Sequence, residues 1–239
     1  MIKKILNLIF FIIFFIYQTS SFSKIDDDNN FNHKYLSSYL SAIIAKDNQN
    51  INDSLKYFNS SKVLINKHRS YLKEYVISLV LNGKIQKSTQ LIKQNNGNSN
   101  SEFFEGKLLL LIDNFKKKNF YENIEIFNQF ERYRDNGNYQ FIIYEVLKSY
   151  NDLFLTKEIN SKNRRNFGKL SLINEAFQYC YLNYSEADKK FVSLINSEDG
   201  DYSRYLFYYL NYLVKNEDFI SAKKISETIN TLDSNLLIQ

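Results

Sequence analysis

A small or short polar residue followed four positions later by a large apolar one recurs along this chain: Ser54/Phe58, Ser88/Ile92, Asn123/Phe127, Ala187/Phe191 and Ser221/Ile225. The first members stand 34, 35, 64 and 34 positions apart, and the long interval has room for one degenerate copy. Self-similarity at this period is the signature of helix pairs stacked in series, each contacting only its neighbours. The spacing has a physical reason. Two helices of a hairpin approach closely only where a side chain is small, and a large side chain one turn later lies on the same face and fills the gap beside it.

The segments between these markers read as helices and turns. Tyr35–Lys46 places Leu36, Leu40 and Ile43/Ile44 on one side, and Asn52 or Asp53 is expected to cap the next helix. Ser70–Leu81 is the clearest helix, with Leu72, Tyr75, Val76, Leu79 and Val80 at helical spacing. Gly83 is expected to end it in the left-handed conformation. A third pair runs through Leu108–Phe115 and Phe120–Phe130, and a long helix covers Tyr139–Leu155. Thr156–Gly168 is polar and irregular, so the fourth unit is expected to have a short or absent second helix. Regularity returns in Leu170–Leu182, Ser185–Asn196, Tyr205–Leu213 and Phe219–Ile229. Six units of about 34 residues fill the chain from residue 33 to residue 235.

The N-terminus has a different character. Lys3 and Lys4 precede an unbroken apolar run, Ile5 to Tyr17, and a polar stretch ending in Ser21-Phe22-Ser23. This is the order of a secretory signal peptide, so 1–23 is expected to be cleaved after Ser23 and the protein exported, with the bacterial periplasm as its destination. The run is short for a bilayer span of about 20 residues, and an uncleaved anchor facing the periplasm is the alternative. Residues 24–33 read as a disordered lead-in and 34–239 as the repeat domain. The end, Leu236-Leu237-Ile238, carries no polar capping helix, which predicts a C-terminal partner or a longer parent chain.

Chemistry is sparse. The net charge of +5 includes Lys3 and Lys4 of the leader, and the remainder is too small to argue for nucleic acid. His33 and His68 have no companion at metal-ligand spacing, and His68 is expected in a solvated turn. No nucleotide-binding or nucleophile motif occurs, so neither enzyme activity nor a cofactor or metal is expected. Cys180 lies in the apolar run Phe177–Leu182 and reads as an inert buried thiol. Two basic clusters stand out: Lys116-Lys117-Lys118 at a helix end, where cations suit the dipole, and Lys157, Lys162, Arg164, Arg165 and Lys169 in the irregular unit. The second is suited to acidic lipid, phosphate or an acidic partner if it is more than a solvated connector.

At the repeat positions the chain resembles the tetratricopeptide repeat family. The likeness rests on Gly83 five positions before Ser88, on Asn119-Phe120-Tyr121-Glu122-Asn123-Ile124 and Asp218-Phe219-Ile220-Ser221-Ala222, and on Tyr205 and Tyr212 as first-helix aromatics. With its leader, the chain is similar to exported repeat proteins of alphaproteobacteria. The resemblance implies a right-handed α-solenoid of about six hairpins, the fourth irregular. It implies protein–protein interaction, with a peptide or partner helix held on the concave surface. It places Tyr39, Ile43, Lys73, Ile77, Leu206 and Leu210 on that groove. A membrane-anchored scaffold in envelope assembly is the alternative, and a helical lyase or hydrolase a remote one. The membrane would be met only through an uncleaved N-terminus.

Overall fold

The computed structural model describes residues 32–97, 102–130, 139–160, 165–196 and 205–230. These contain eleven α-helices, one 3-10 turn and no strand. The all-α expectation holds. The leader, the lead-in up to residue 31, the turn at 134–138 and the C-terminal apolar run lie outside the described residues, as do Lys162 and Arg164. Among the described residues no helix is long and apolar enough to cross a membrane. The chain divides into two compact units, Met1–Tyr71 and Leu72–Gln239.

In the first unit, α1 (His33–Asp47) and α2 (Ile51–Ser60) pack together, followed by a 3-10 turn at Lys62–Asn66. Asn32 caps α1 by accepting from the Lys34 amide at 2.9 Å. Gln49 turns the chain in the left-handed conformation (φ 61°). The cap of α2 is Asn50, two residues before the expected Asn52: it accepts from the Asp53 amide, and its own Nδ2 donates to Asp53 Oδ2 at 2.7 Å. Asp53 is thereby an acid in the first turn, where the helix dipole favours it.

The buried face of α1 differs from the predicted stripe. Tyr39 and Ala42 are buried, whereas Leu40 and Ile44 are 51% and 61% exposed. The reason lies in the partners: Tyr39 is placed between the rings of Phe58 (centroids 6.1 Å apart) and Tyr71 (5.7 Å). An aromatic cluster buries more area per side chain than a Leu/Ile stripe. The Tyr71 hydroxyl donates to the carbonyl of Phe58, so its polar end is satisfied inside the core.

The second unit runs from α3 (Tyr71–Leu81, whose first residue closes the first unit) through α4 (Ile85–Gln94), α5 (Phe104–Lys117), α6 (Glu122–Phe130), α7 (Tyr139–Thr156), α8 (Lys169–Tyr181), α9 (Ala187–Ile195), α10 (Leu206–Lys215) and α11 (Phe219–Asn230). From α4 onward each helix packs on the next in chain order. Leu72, Tyr75, Val76 and Leu79 of α3 are buried as their spacing predicts. Gly83 takes φ +72°, and the Lys84 amide closes back on the Leu79 carbonyl at 2.8 Å.

Four of the five recurring pairs are buried. Ser54/Phe58, Ser88/Ile92, Asn123/Phe127 and Ala187/Phe191 are each no more than 4% exposed. The fifth is not: Ser221 and Ile225 are half-buried, and the buried residues of α11 are Ala222 and Ile229. Asp218 accepts from the Ser221 amide at 3.0 Å, which uses Ser221 in the first turn of α11.

Two apolar clusters form within this unit. One joins Phe104, Leu111, Phe127, Phe130, Phe141 and Tyr144 of α5–α7. The other joins Ala176, Ala187, Phe191, Leu194, Tyr209, Tyr212, Leu213 and Ala222 of α8–α11. Through the first runs a buried amide chain: Asn114 Nδ2 donates to Asn123 Oδ1, and Asn123 Nδ2 to Asn151 Oδ1, both at 3.0 Å. Asn123 occupies a repeat position without being small because its amide ties α5 to α7 across α6.

Candidate functional site

The repeat breaks after α7, and the structure there is built from local polar bonds. The Thr156 hydroxyl donates to the Asp152 carbonyl at 2.9 Å, and Lys157 leaves the helix at φ 60°. Among the described residues between Thr156 and Lys169 there is no helix, as the polar composition predicts. Gly168 adopts φ 62°, ψ −128°, a region closed to residues with a Cβ. The Phe167 amide donates to Ser171 Oγ at 2.8 Å and the Gly168 amide to Asn166 Oδ1 at 2.8 Å, which starts α8.

Beside this connector a cavity of about 750 Å³ opens between α7 and α8. That is within the range of small-ligand sites. From α7 it is lined by Glu145, Lys148, Ser149 and Asp152, which share a face at helical spacing. Ser171, Asn174 and Glu175 face them from α8, and Arg165 and Phe167 come from the connector.

The charges in the cavity are unequally engaged. Lys148 donates to the Tyr144 hydroxyl at 3.3 Å and lies 5.6 Å from the centre of that ring. The Arg165 guanidinium stacks 4.6 Å over Phe141. Glu175 pairs with Lys190 at 2.7 Å. Asp152 and Glu145 have no side-chain hydrogen bond or ion pair among the described residues. Burial pushes the Asp152 carboxyl above its ordinary value, and the charge of Lys148 opposes this only in part. Behind the wall Gln178, fully buried, donates to Ser149 Oγ at 3.0 Å, and its Oε1 has no hydrogen-bond partner.

Two members of the basic cluster have ring partners among the described residues. Lys157 donates to the Tyr181 hydroxyl at 2.9 Å, while Arg165 turns to Phe141.

No protein-family model, curated protein or solved structure matches the chain.

The six residues expected on a groove divide among several environments. Tyr39 and Ile43 belong to the first unit; Lys73, Ile77, Leu206 and Leu210 belong to the second. Tyr39 (6% exposed) and Leu206 (3%) are core residues and offer no surface. Leu210 packs against the α8–α11 cluster, and Ile43 and Ile77 are half-buried. Lys73 of α3 is held by Glu105 of α5 at 2.7 Å. His68 is half-buried rather than solvated, because its ring packs on Tyr39 at 4.5 Å. Cys180 is half-buried, and burial pushes its thiol up, away from the reactive thiolate. No group of three metal-ligating side chains occurs among the described residues.

Sequence reading missed Asp152 and Glu145. The signal available was their i, i+7 spacing on a helix next to a stretch too polar to pack over them.

Proposed function

We propose that the chain is a tetratricopeptide-like helical repeat protein whose work is to hold another protein as an extended peptide or a partner helix, without catalysis. The observation that carries this is the burial of four of the five recurring small/large pairs, in helices that from α4 onward pack in chain order, as a stacked-hairpin array requires. In such an array one helix of each pair faces the bound chain, and a few aliphatic or aromatic anchors supply most of the affinity. Ile43 in the first unit and Ile77 and Leu210 in the second, each only half-buried, are the apolar anchors the resemblance leaves available. Export to the periplasm belongs to the same reading and rests on the order of charges and apolar residues in 1–23.

The test is capture of a partner from an envelope extract by the purified protein. Recovery of one reproducible partner should fall at least about tenfold for Ile77→Asp or Leu210→Asp, since each would bury a charge at an apolar contact. Variants that keep the wild-type melting temperature and recover the same partner in full would remove the groove from the reading. Mass spectrometry of the N-terminus distinguishes a chain that starts near Lys24 from an anchored one that starts at Met1.

A further inference from the structure

The geometry points to the α7–α8 cavity as a pocket for an alkylammonium group, presented by the bound partner as a lysine side chain, with Asp152 as its first counter-ion and Glu145 as its second. The lysine source rests on the peptide-holding reading above; the ammonium chemistry does not.

The wall is rich in acceptors whose natural donors are turned elsewhere. Lys148 sits on the same face as both carboxylates, yet its ammonium is directed to Tyr144. Arg165 contributes to the lining, yet its guanidinium lies on the Phe141 ring. Asp152 and Glu145 accept no side-chain hydrogen bond and form no ion pair among the described residues, although the charge of Lys148 acts on Asp152. A ligand that satisfies this wall must bring donors and positive charge, and an ammonium brings three donors on one charge. The seven residues from Glu145 to Asp152 span roughly 10 Å along the helix. A chain with two ammonium groups about that far apart reaches both carboxylates.

Two other ligand classes fit less well. An anion would need the cations to converge, and among the described residues Lys148 and Arg165, which line the cavity, are engaged with aromatic rings. A metal would need three ligating side chains together, and no such group occurs among the described residues.

The experiment is calorimetric titration of the full chain with tetralysine, with spermidine and with tetraglutamate at low salt. Tetralysine should bind and tetraglutamate should not, and added salt should weaken the binding. Asp152→Asn should weaken tetralysine about tenfold and Glu145→Gln by a smaller factor. Lys148→Met should strengthen it, because a competing cation leaves. If Asp152→Asn does not fold, Glu145→Gln and Lys148→Met carry the test with opposite signs. Binding of spermidine alone would keep the ammonium pocket and detach it from the peptide-holding reading. Binding of neither cation, preference for tetraglutamate, or unchanged tetralysine affinity in both carboxamide variants would overturn the inference.

Discussion

Phe58 is fully buried, makes ring contacts with Tyr39 and Tyr71, and accepts the Tyr71 hydroxyl on its carbonyl. Truncation to Ala leaves a cavity bounded by rigid rings that collapse poorly, so Phe58→Ala should cost about 3–5 kcal/mol in urea unfolding. A loss under about 1 kcal/mol would mean the aromatic cluster is not the core of the first unit. Asp152 obeys a different logic. Its native carboxyl holds its proton more tightly than in the unfolded chain, because burial outweighs Lys148. The native state therefore binds more protons, and stability falls as pH rises from the ordinary Asp range through the raised native value. Asp152→Asn removes that penalty. The variant should melt higher than wild type at neutral pH, and the difference should vanish as the solution is acidified through the carboxyl range. The same substitution lowers affinity for tetralysine, so stability and binding move in opposite directions at one residue, as expected where a group is kept for a ligand. A variant that melts lower at neutral pH would contradict the stability argument.

At the scale of helices and turns, Gly83 and Lys118 are two of the left-handed residues that end helices in the second unit, by the same geometry with different side chains. Gly83 ends α3 at φ +72°, and a Cβ built there meets nothing within 4 Å. Lys118 ends α5 at φ 61° and carries the backbone strain of a non-glycine residue. Gly83→Ala should thus destabilise by about 1 kcal/mol through backbone strain alone, and Lys118→Gly should stabilise by a similar amount, both read by thermal melting. Equal melting temperatures for the two variants would show that the turns are not fixed by φ. The Gly83 turn was legible in the sequence because glycine announces it; the Lys118 turn was not, because lysine has no local preference for that region. The same contrast runs through the rest of the chain. The amphipathic face of α3 and the first four repeat pairs follow from spacing, since helical period and side-chain size are local properties. The burial of Tyr39 in place of Leu40, and of Ala222 in place of Ser221, depends on which ring or cap lies opposite. The non-helical connector after α7 could be read from its polar composition. The cavity beside it, and the direction in which Lys148 and Arg165 turn within it, depend on Tyr144 and Phe141, which lie close only once the helices have packed.

For the second unit as a whole, the consequence lies in how stability is shared along the chain. The α5–α7 cluster and the α8–α11 cluster are separate apolar cores, and the helices that meet between them, α7 and α8, border the cavity. When each repeat contacts only its neighbours, damage stays local and the weakest interface opens first. Phe191→Ala removes a fully buried ring that contacts Phe177, Tyr209 and Tyr212. Hydrogen exchange should then show amide protection lost across 170–230 while 104–130 keeps wild-type protection. Loss of protection in both segments together would mean that the unit unfolds as one body and that serial packing carries no independence. Bound tetralysine should have the converse effect in the wild type. An ammonium held by Asp152 of α7 stabilises only states in which the cavity wall is intact, so opening of α8 must first release the ligand. Protection in 169–181 should rise with ligand concentration, and Asp152→Asn should abolish that rise while leaving the unliganded pattern of 187–230 unchanged.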